Sequence, residues 1–319
     1  MAWQQNTITS LGDIPPLVRS FATTVGFTVG GTTSAPTLKH PSYSGGATFS
    51  LTRVNVSPYD ELFWTQTDTS SITGTARLRS PVRDSGTLAP TKVILFAALT
   101  PAPYMVIVVE YGYNLYRHLY MGNLVPSSSF TGGEVISGAN FFQSNAGTDY
   151  PLDYRDTRHQ HLFSAHQSYW ANADCGGTRI VHGSNPNTWR RFRAASLSYG
   201  GWNAFDGNEA IGGFTDDVND GYVARGRSSY AGTAILTPVN LYAAKGSGST
   251  VQFAQLGHPA GVRLVNMTDL DPDSTLTIGT DEWQCFPAFR KSTSTSVARG
   301  ASWGSNESSG MIGYAYRRA

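Results

Sequence analysis

Residues Tyr104 to Pro126, YMVIVVEYGYNLYRHLYMGNLVP, decide how this chain folds. Met105 to Val109 form a continuous apolar, largely β-branched run, which suits a strand buried on both faces. From Glu110 the run loosens into aromatics and polar residues, with Tyr111, Tyr113, Tyr116 and Tyr120 spaced through it. Gly122 and Pro126 then act as stops. The apolar run Met105–Val109 is too short to cross a bilayer as a helix. A core strand leading into an aromatic-lined one, in a chain almost without helical periodicity, predicts a mainly β protein.

Working outward toward the N-terminus, one helix is legible. Ile14, Leu17, Val18, Phe21, Ala22 and Val25 recur at helical spacing and make a single apolar stripe. Asp13 stands where an N-cap belongs, Pro15 and Pro16 suit the first turn, and Gly26 ends the helix. Strands are expected at Phe27–Val29, at Ala47–Val56 with Phe49, Leu51 and Val54 inward, and at Val93–Leu99 before the turn TPAP. Residues 1–125 thus read as one amphipathic helix on an antiparallel sheet.

Beyond Pro126 the texture changes. SSSFTGGEVISGANFFQSNAG is rich in Gly, Ser and Asn, as in a long ordered loop or very short strands. Brief apolar segments follow at Tyr169–Ala171, Thr178–Val181, Ala234–Tyr242, Val262–Asn266 and Leu276–Ile278. Turn clusters separate them, and MIGYAYRRA closes the sequence as a strand. That cadence predicts an all-β, sandwich-like part over residues 126–319. Gly246–Thr250 is a turn too short to link domains.

Of the 319 residues only 14% are charged, against roughly a quarter in ordinary soluble domains. Ser, Thr, Asn and Gly supply the surface polarity instead. Little repulsion opposes self-association on such a surface, which suits a subunit covered by neighbours. The net charge of +1 gives no global case for nucleic acid or anionic lipid. The one basic cluster, Arg190, Arg191 and Arg193 between Trp189 and Phe192, reads as a polar strand or loop at an interface, since phosphate binding needs several spread contacts. Trp202, Phe205 and Phe214, with Tyr169 and Trp170, lie in Gly/Asn/Ser-rich sequence where a dry core is hard to build. They read first as core satellites under loops, next as subunit contacts, and third as sugar-stacking residues. Cys175 and Cys285 fit no CxxC or zinc spacing and read as buried thiols of a protein assembled in a reducing cytoplasm, with one long-range disulfide as the alternative. MAWQQNTITS has neither a basic nor an apolar leader region, so no secretion signal is expected.

Chemistry is sparse. His159 and His161, alternating on one strand face, and His166 have the outline of a chelating set, but Arg155 and Arg158 beside them would repel a cation. Asp269, Asp271 and Asp273 alternate like a calcium loop yet lack its Gly at the sixth and Glu at the twelfth position. Asp216, Asp217 and Asp220 form a second acidic turn. No metal or other cofactor is therefore expected. Zincin and phosphate-loop motifs are missing. Glu110, Asp149, Asp153 and Asp156 could supply the paired carboxylates of a glycosidase, the enzyme-class alternative. Glu134, alone among apolar and glycine residues, reads as a loop-tip charge.

Four stretches, in order, resemble a family of tailed-bacteriophage virion structural proteins. The opening MAWQQNTITSLGDIPPLVRSFATTVGFTV is similar to its Trp-containing leader and helix, through Leu17, Val18, Phe21, Gly26, Phe27, Thr28 and Val29. Tyr120, Gly122 and Pro126 fit its Tyr–x–Gly–x–x–x–Pro strand pair. His161, Phe163 and Trp189 correspond to a third region. GVRLVNMTDLDPDSTLTIGTDEWQCFPAFRK and GYAYRRA resemble its closing strands, with Trp283 where Tyr is common. Gly132–Tyr150 has no counterpart. The resemblance implies a non-enzymatic component of the virion tail, baseplate or collar, synthesised in the bacterial cytoplasm. Its partners would be copies of itself and other tail or baseplate proteins, with neither nucleic acid nor membrane insertion. The alternative is a host-surface adhesin module that binds a receptor or glycan.

Overall fold

The computed structural model describes residues 1–43, 46–56, 59–67, 73–80, 82–83, 86–112, 115–127, 133–138, 162–163, 178–181, 189–191, 209–212, 236–245, 252–267, 269–288 and 312–319. The chain opens with β1 (Ala2–Thr7), a 3-10 turn (Leu11–Asp13) and α1 (Ile14–Val25). Then come β2 (Thr28–Gly31), β3 (Pro36–Lys39), β4 (Thr48–Val56), β5 (Tyr59–Thr67), β6 (Thr73–Arg79), β7 (Val82–Arg83) and β8 (Gly86–Thr87). The middle of the chain supplies β9 (Pro90–Ala98), β10 (Tyr104–Tyr111), β11 (Leu115–Pro126), β12 (Glu134–Gly138), β13 (Thr178–Val181), β14 (Trp189–Arg191) and β15 (Glu209–Gly212). The last group is β16 (Thr237–Pro238), β17 (Leu241–Lys245), β18 (Gln252–Pro259), β19 (Val262–Asn266), β20 (Ser274–Ile278), β21 (Asp281–Pro287) and β22 (Ile312–Arg317). The protein is mainly β, and among the described residues every strand pairing is antiparallel.

Three sheets matter. The first runs β2-β3-β4-β5-β6. The central sheet runs β1-β9-β10-β11-β12-β13-β14, and β18 joins the far end of β11 and carries β17 and β15. The outer sheet runs β16-β19-β22-β21-β20. The central sheet does not pause at Pro126: β11 pairs with β12 through Leu119–Asn123 and with β18 through Leu124–Pro126.

Met105–Val109 are wholly buried, as a strand sandwiched on both faces must be. Their side chains alternate between two cores. Met105, Ile107 and Val109 pack with α1 and the first sheet, against Phe49, Leu51, Leu62 and Trp64. Val106 and Val108 face the outer sheet, with Phe96, Tyr120, Phe286, Tyr314 and Tyr316. A third core, Val265, Met267, Trp283, Cys285 and Ala315, lies on the far face of the outer sheet. Burying each large apolar side chain contributes about 1.5–3 kcal/mol, so the doubly covered strands dominate stability.

The helix packs as its stripe demands, with Ile14, Val18, Phe21 and Ala22 buried. Gly26 closes it in the left-handed region, φ 105°, its N–H donating to the Ala22 carbonyl at 3.0 Å. Asp13 occupies the N-cap position, but its carboxylate turns back to accept from the N–H groups of Thr9 and Ser10, both at 3.0 Å. Those bonds, the Thr9 N–H foremost, hold its pKa below the usual carboxylate value.

Two expectations are corrected. Val54 is exposed rather than inward, because Phe49 and Leu51 fix the period-two register and that register turns Val54 to the opposite face. Glu134 is not a loop-tip charge: it begins β12, opposite Asn123 of β11, and is buried. No helix among the described residues is long and apolar enough to cross a membrane.

Candidate functional site

Polar groups sit between the layers, and their hydrogen bonds show what they do. His118 of β11 is buried beneath the outer sheet. A carbonyl can only accept, so its Nε2–H donates to the Pro287 carbonyl at 2.9 Å. That fixes the tautomer, and Nδ1 accepts from the Tyr316 hydroxyl at 2.8 Å. Phe286, Tyr314 and Tyr316 ring the imidazole. Burial pushes its pKa down to about 3 against the Pro287 bond, so the ring is neutral. His118 is a bolt between β11, β21 and β22, and nothing about it is poised for proton transfer near neutral pH. On the opposite face, Arg79 pairs with Glu61 inside the first sheet. Arg117 is buried nearby, its pKa lowered to about 10 by desolvation.

At one margin of the molecule Lys92 of β9 reaches two carboxylates, Glu110 at 2.6 Å and Asp273 at 2.7 Å. Asp273, at φ 66°, also accepts from the Gln284 amide. An Asp tolerates that left-handed backbone better than most residues. The clasp ties the central sheet to the start of β20.

Along the same margin two strand edges lie close together. β1 ends the central sheet and β20 ends the outer sheet. Arg318 joins them: its guanidinium lies 3.7 Å from the centre of the Trp3 ring and donates to Thr275 Oγ1 at 3.4 Å. A cation on an indole face contributes about 0.5–1 kcal/mol when exposed. Trp3, Gln5 and Thr7 are the exposed members of β1. Thr275, Thr277 and Ile278 are exposed on β20, Ile278 to 46%.

The backbone of β1 faces two ways. Ile8 N–H donates to Thr91 O at 3.1 Å, which marks that opposed pair as hydrogen-bonded. Bonded pairs alternate along an antiparallel ladder, so Asn6–Val93, Gln4–Leu95 and Ala2–Ala97 bond inward. Trp3, Gln5 and Thr7 therefore direct their N–H and C=O groups to the other side, where no strand among the described residues pairs. Free-standing sheets blunt such edges with Lys, Pro or bulges. β1 (AWQQNT) and β20 (STLTI) carry no charge and no Pro, and their registers are regular.

Of the residues the sequence singles out, Trp189, Arg190 and Arg191 form β14, whose backbone pairs with Arg179–Val181 of β13. Arg193, Trp202, Phe205 and Phe214 lie outside the described residues, as do Tyr169, Trp170, His159, His161, His166, Asp149, Asp153, Asp156, Asp216, Asp217, Asp220 and Cys175. Glu110 and Asp273 are brought together, but around Lys92 rather than a cleft. Among the described residues no three His, Cys, Asp or Glu side chains are grouped to hold a metal. Cys285 is a free buried thiol, its pKa raised to about 12 by burial. The open β1 edge escaped the sequence reading because AWQQNT has neither apolar alternation nor turn punctuation. The lone Trp3 among polar residues was its only signal.

No protein-family model matches the chain, and a search of curated proteins finds no match either. Among the described residues the geometry offers β layers bolted together by buried polar groups, with two uncharged strand edges left unpaired.

Proposed function

We propose that the protein is a non-enzymatic structural subunit of a tailed-bacteriophage particle, in its tail, baseplate or collar. It works by permanent contacts with copies of itself and with neighbouring virion proteins. The observation that carries this reading is the pair of uncharged strand edges, β1 and β20, which Arg318 bridges and which expose Trp3 and Ile278. An edge of this kind on a free monomer invites adventitious pairing, whereas in an assembly it is a joint. Symmetry then multiplies each contact. The ordered resemblance to virion structural proteins and the low charge point the same way.

The test is the composition of particles purified after lysis of the host. Mass spectrometry should find the chain at a fixed copy number that survives high salt. Its absence from particles sinks the reading. Particles that assemble fully without it, yet no longer adsorb to cells, would replace the scaffold by the adhesin.

A further inference from the structure

Resting on the assembly reading, we propose that β1 is the self-association strand: it pairs antiparallel with β1 of a second copy about a two-fold axis at Gln5. Continuation of the central sheet across two subunits follows from the outward backbone groups. In a two-fold antiparallel pair each residue i opposes a residue j with i + j constant. Centring on Gln5 sets Trp3 against Thr7, Gln4 against Asn6 and Gln5 against its own copy. All three outward-facing residues then exchange bonds, giving about six backbone hydrogen bonds. Centring the axis at Trp3 or Thr7 strands part of that set, and centring it at Gln4 sets Thr7 against Met1, outside β1.

Electrostatics favour an identical partner. β1 is uncharged, so no like charges meet across the axis. The cation beside its C-terminal end, Lys92, is neutralised by Glu110 and Asp273. The other nearby cation, Arg318, is drawn onto the Trp3 ring. A strongly charged partner strand would find no counter-charge here, whereas a second β1 needs none. Trp3, 37% exposed, flanks the joint on the face it shares with Phe96 and supplies apolar area beside the ladder.

The full-length chain tests this through two cysteine variants and one charge variant. Opposed residues of a hydrogen-bonded pair have Cα atoms about 5.5 Å apart, inside the range a disulfide spans. Gln5→Cys should therefore give mostly disulfide-linked dimer on diamide oxidation. Gln4→Cys should not, since its copies lie diagonally across the axis and about 8 Å apart, beyond disulfide reach. Gln5→Lys should weaken association at least tenfold by sedimentation velocity while leaving the far-UV spectrum and melting temperature unchanged, because the Gln5 side chain is exposed. Equal cross-linking of both cysteine variants, none in Gln5→Cys, or undiminished association of a folded Gln5→Lys protein would overturn the proposal. If the chain is found in particles while these variants behave so, only the β1 joint falls. If Gln5→Cys cross-links but particles lack the chain, the joint stands and the virion role falls.

Discussion

Replacing His118 with Phe should remove a pH-dependent component of stability whose size the structure sets. The folded imidazole titrates at about 3 because burial disfavours its charged form, whereas an unfolded histidine titrates near 6.5. Between those values the unfolded chain holds the extra proton, so acidification favours unfolding and stability rises with pH across the window. From pH 7 to pH 4 the wild-type protein should lose about 3 kcal/mol through His118 alone, at 1.36 kcal/mol per unit. The Phe variant cannot show that loss. It carries another one, because the Pro287 carbonyl and the Tyr316 hydroxyl each lose a buried partner. At about 1–3 kcal/mol apiece, the variant should be roughly 2–6 kcal/mol less stable at pH 7. Urea unfolding of both proteins at half-unit steps from pH 7 to pH 4 reads the difference directly. Other acid-sensitive groups such as Asp13 cancel, being common to both. The gap should narrow by about 3 kcal/mol toward pH 4. A gap constant with pH would refute the buried, neutral imidazole.

Two further outcomes follow from packing. Phe21→Ala should cost about 3–5 kcal/mol in equilibrium unfolding, since Phe21 is buried where α1 meets the sheets; a loss under 1 kcal/mol would remove the helix from the core. Gly138→Ala should cost about 1–3 kcal/mol, because a Cβ there would stand 2.1 Å from the Arg77 carbonyl oxygen, where the central and first sheets approach backbone to backbone; an unchanged melting temperature would contradict that approach.

Much of the fold was legible where one physical signal dominated. Met105–Val109 announced a doubly buried strand because no polar residue interrupts it. Helix α1 showed both its stripe and its punctuation. Thr178–Val181 and Val262–Asn266 matched observed strands to the residue. The reading failed where burial depends on partners distant in sequence. In β11, Arg117, His118 and Asn123 look like surface residues, yet all are buried; His118 is satisfied by Pro287 and Tyr316, well over a hundred residues away. Glu134 misled for the same reason. The Lys92 clasp joins residues 181 apart in sequence, and no local pattern encodes it. Edge position is equally non-local: AWQQNT becomes an open margin only because β9 pairs on one side and nothing in the described chain pairs on the other.

A cryo-EM map of the intact particle, fine enough to trace strands, shows whether the β1 margin is a joint. Density for this chain should show β1 hydrogen-bonded to a neighbouring strand, with Trp3 and Ile278 covered. A particle in which the chain is present but β1 and β20 both face solvent would contradict it.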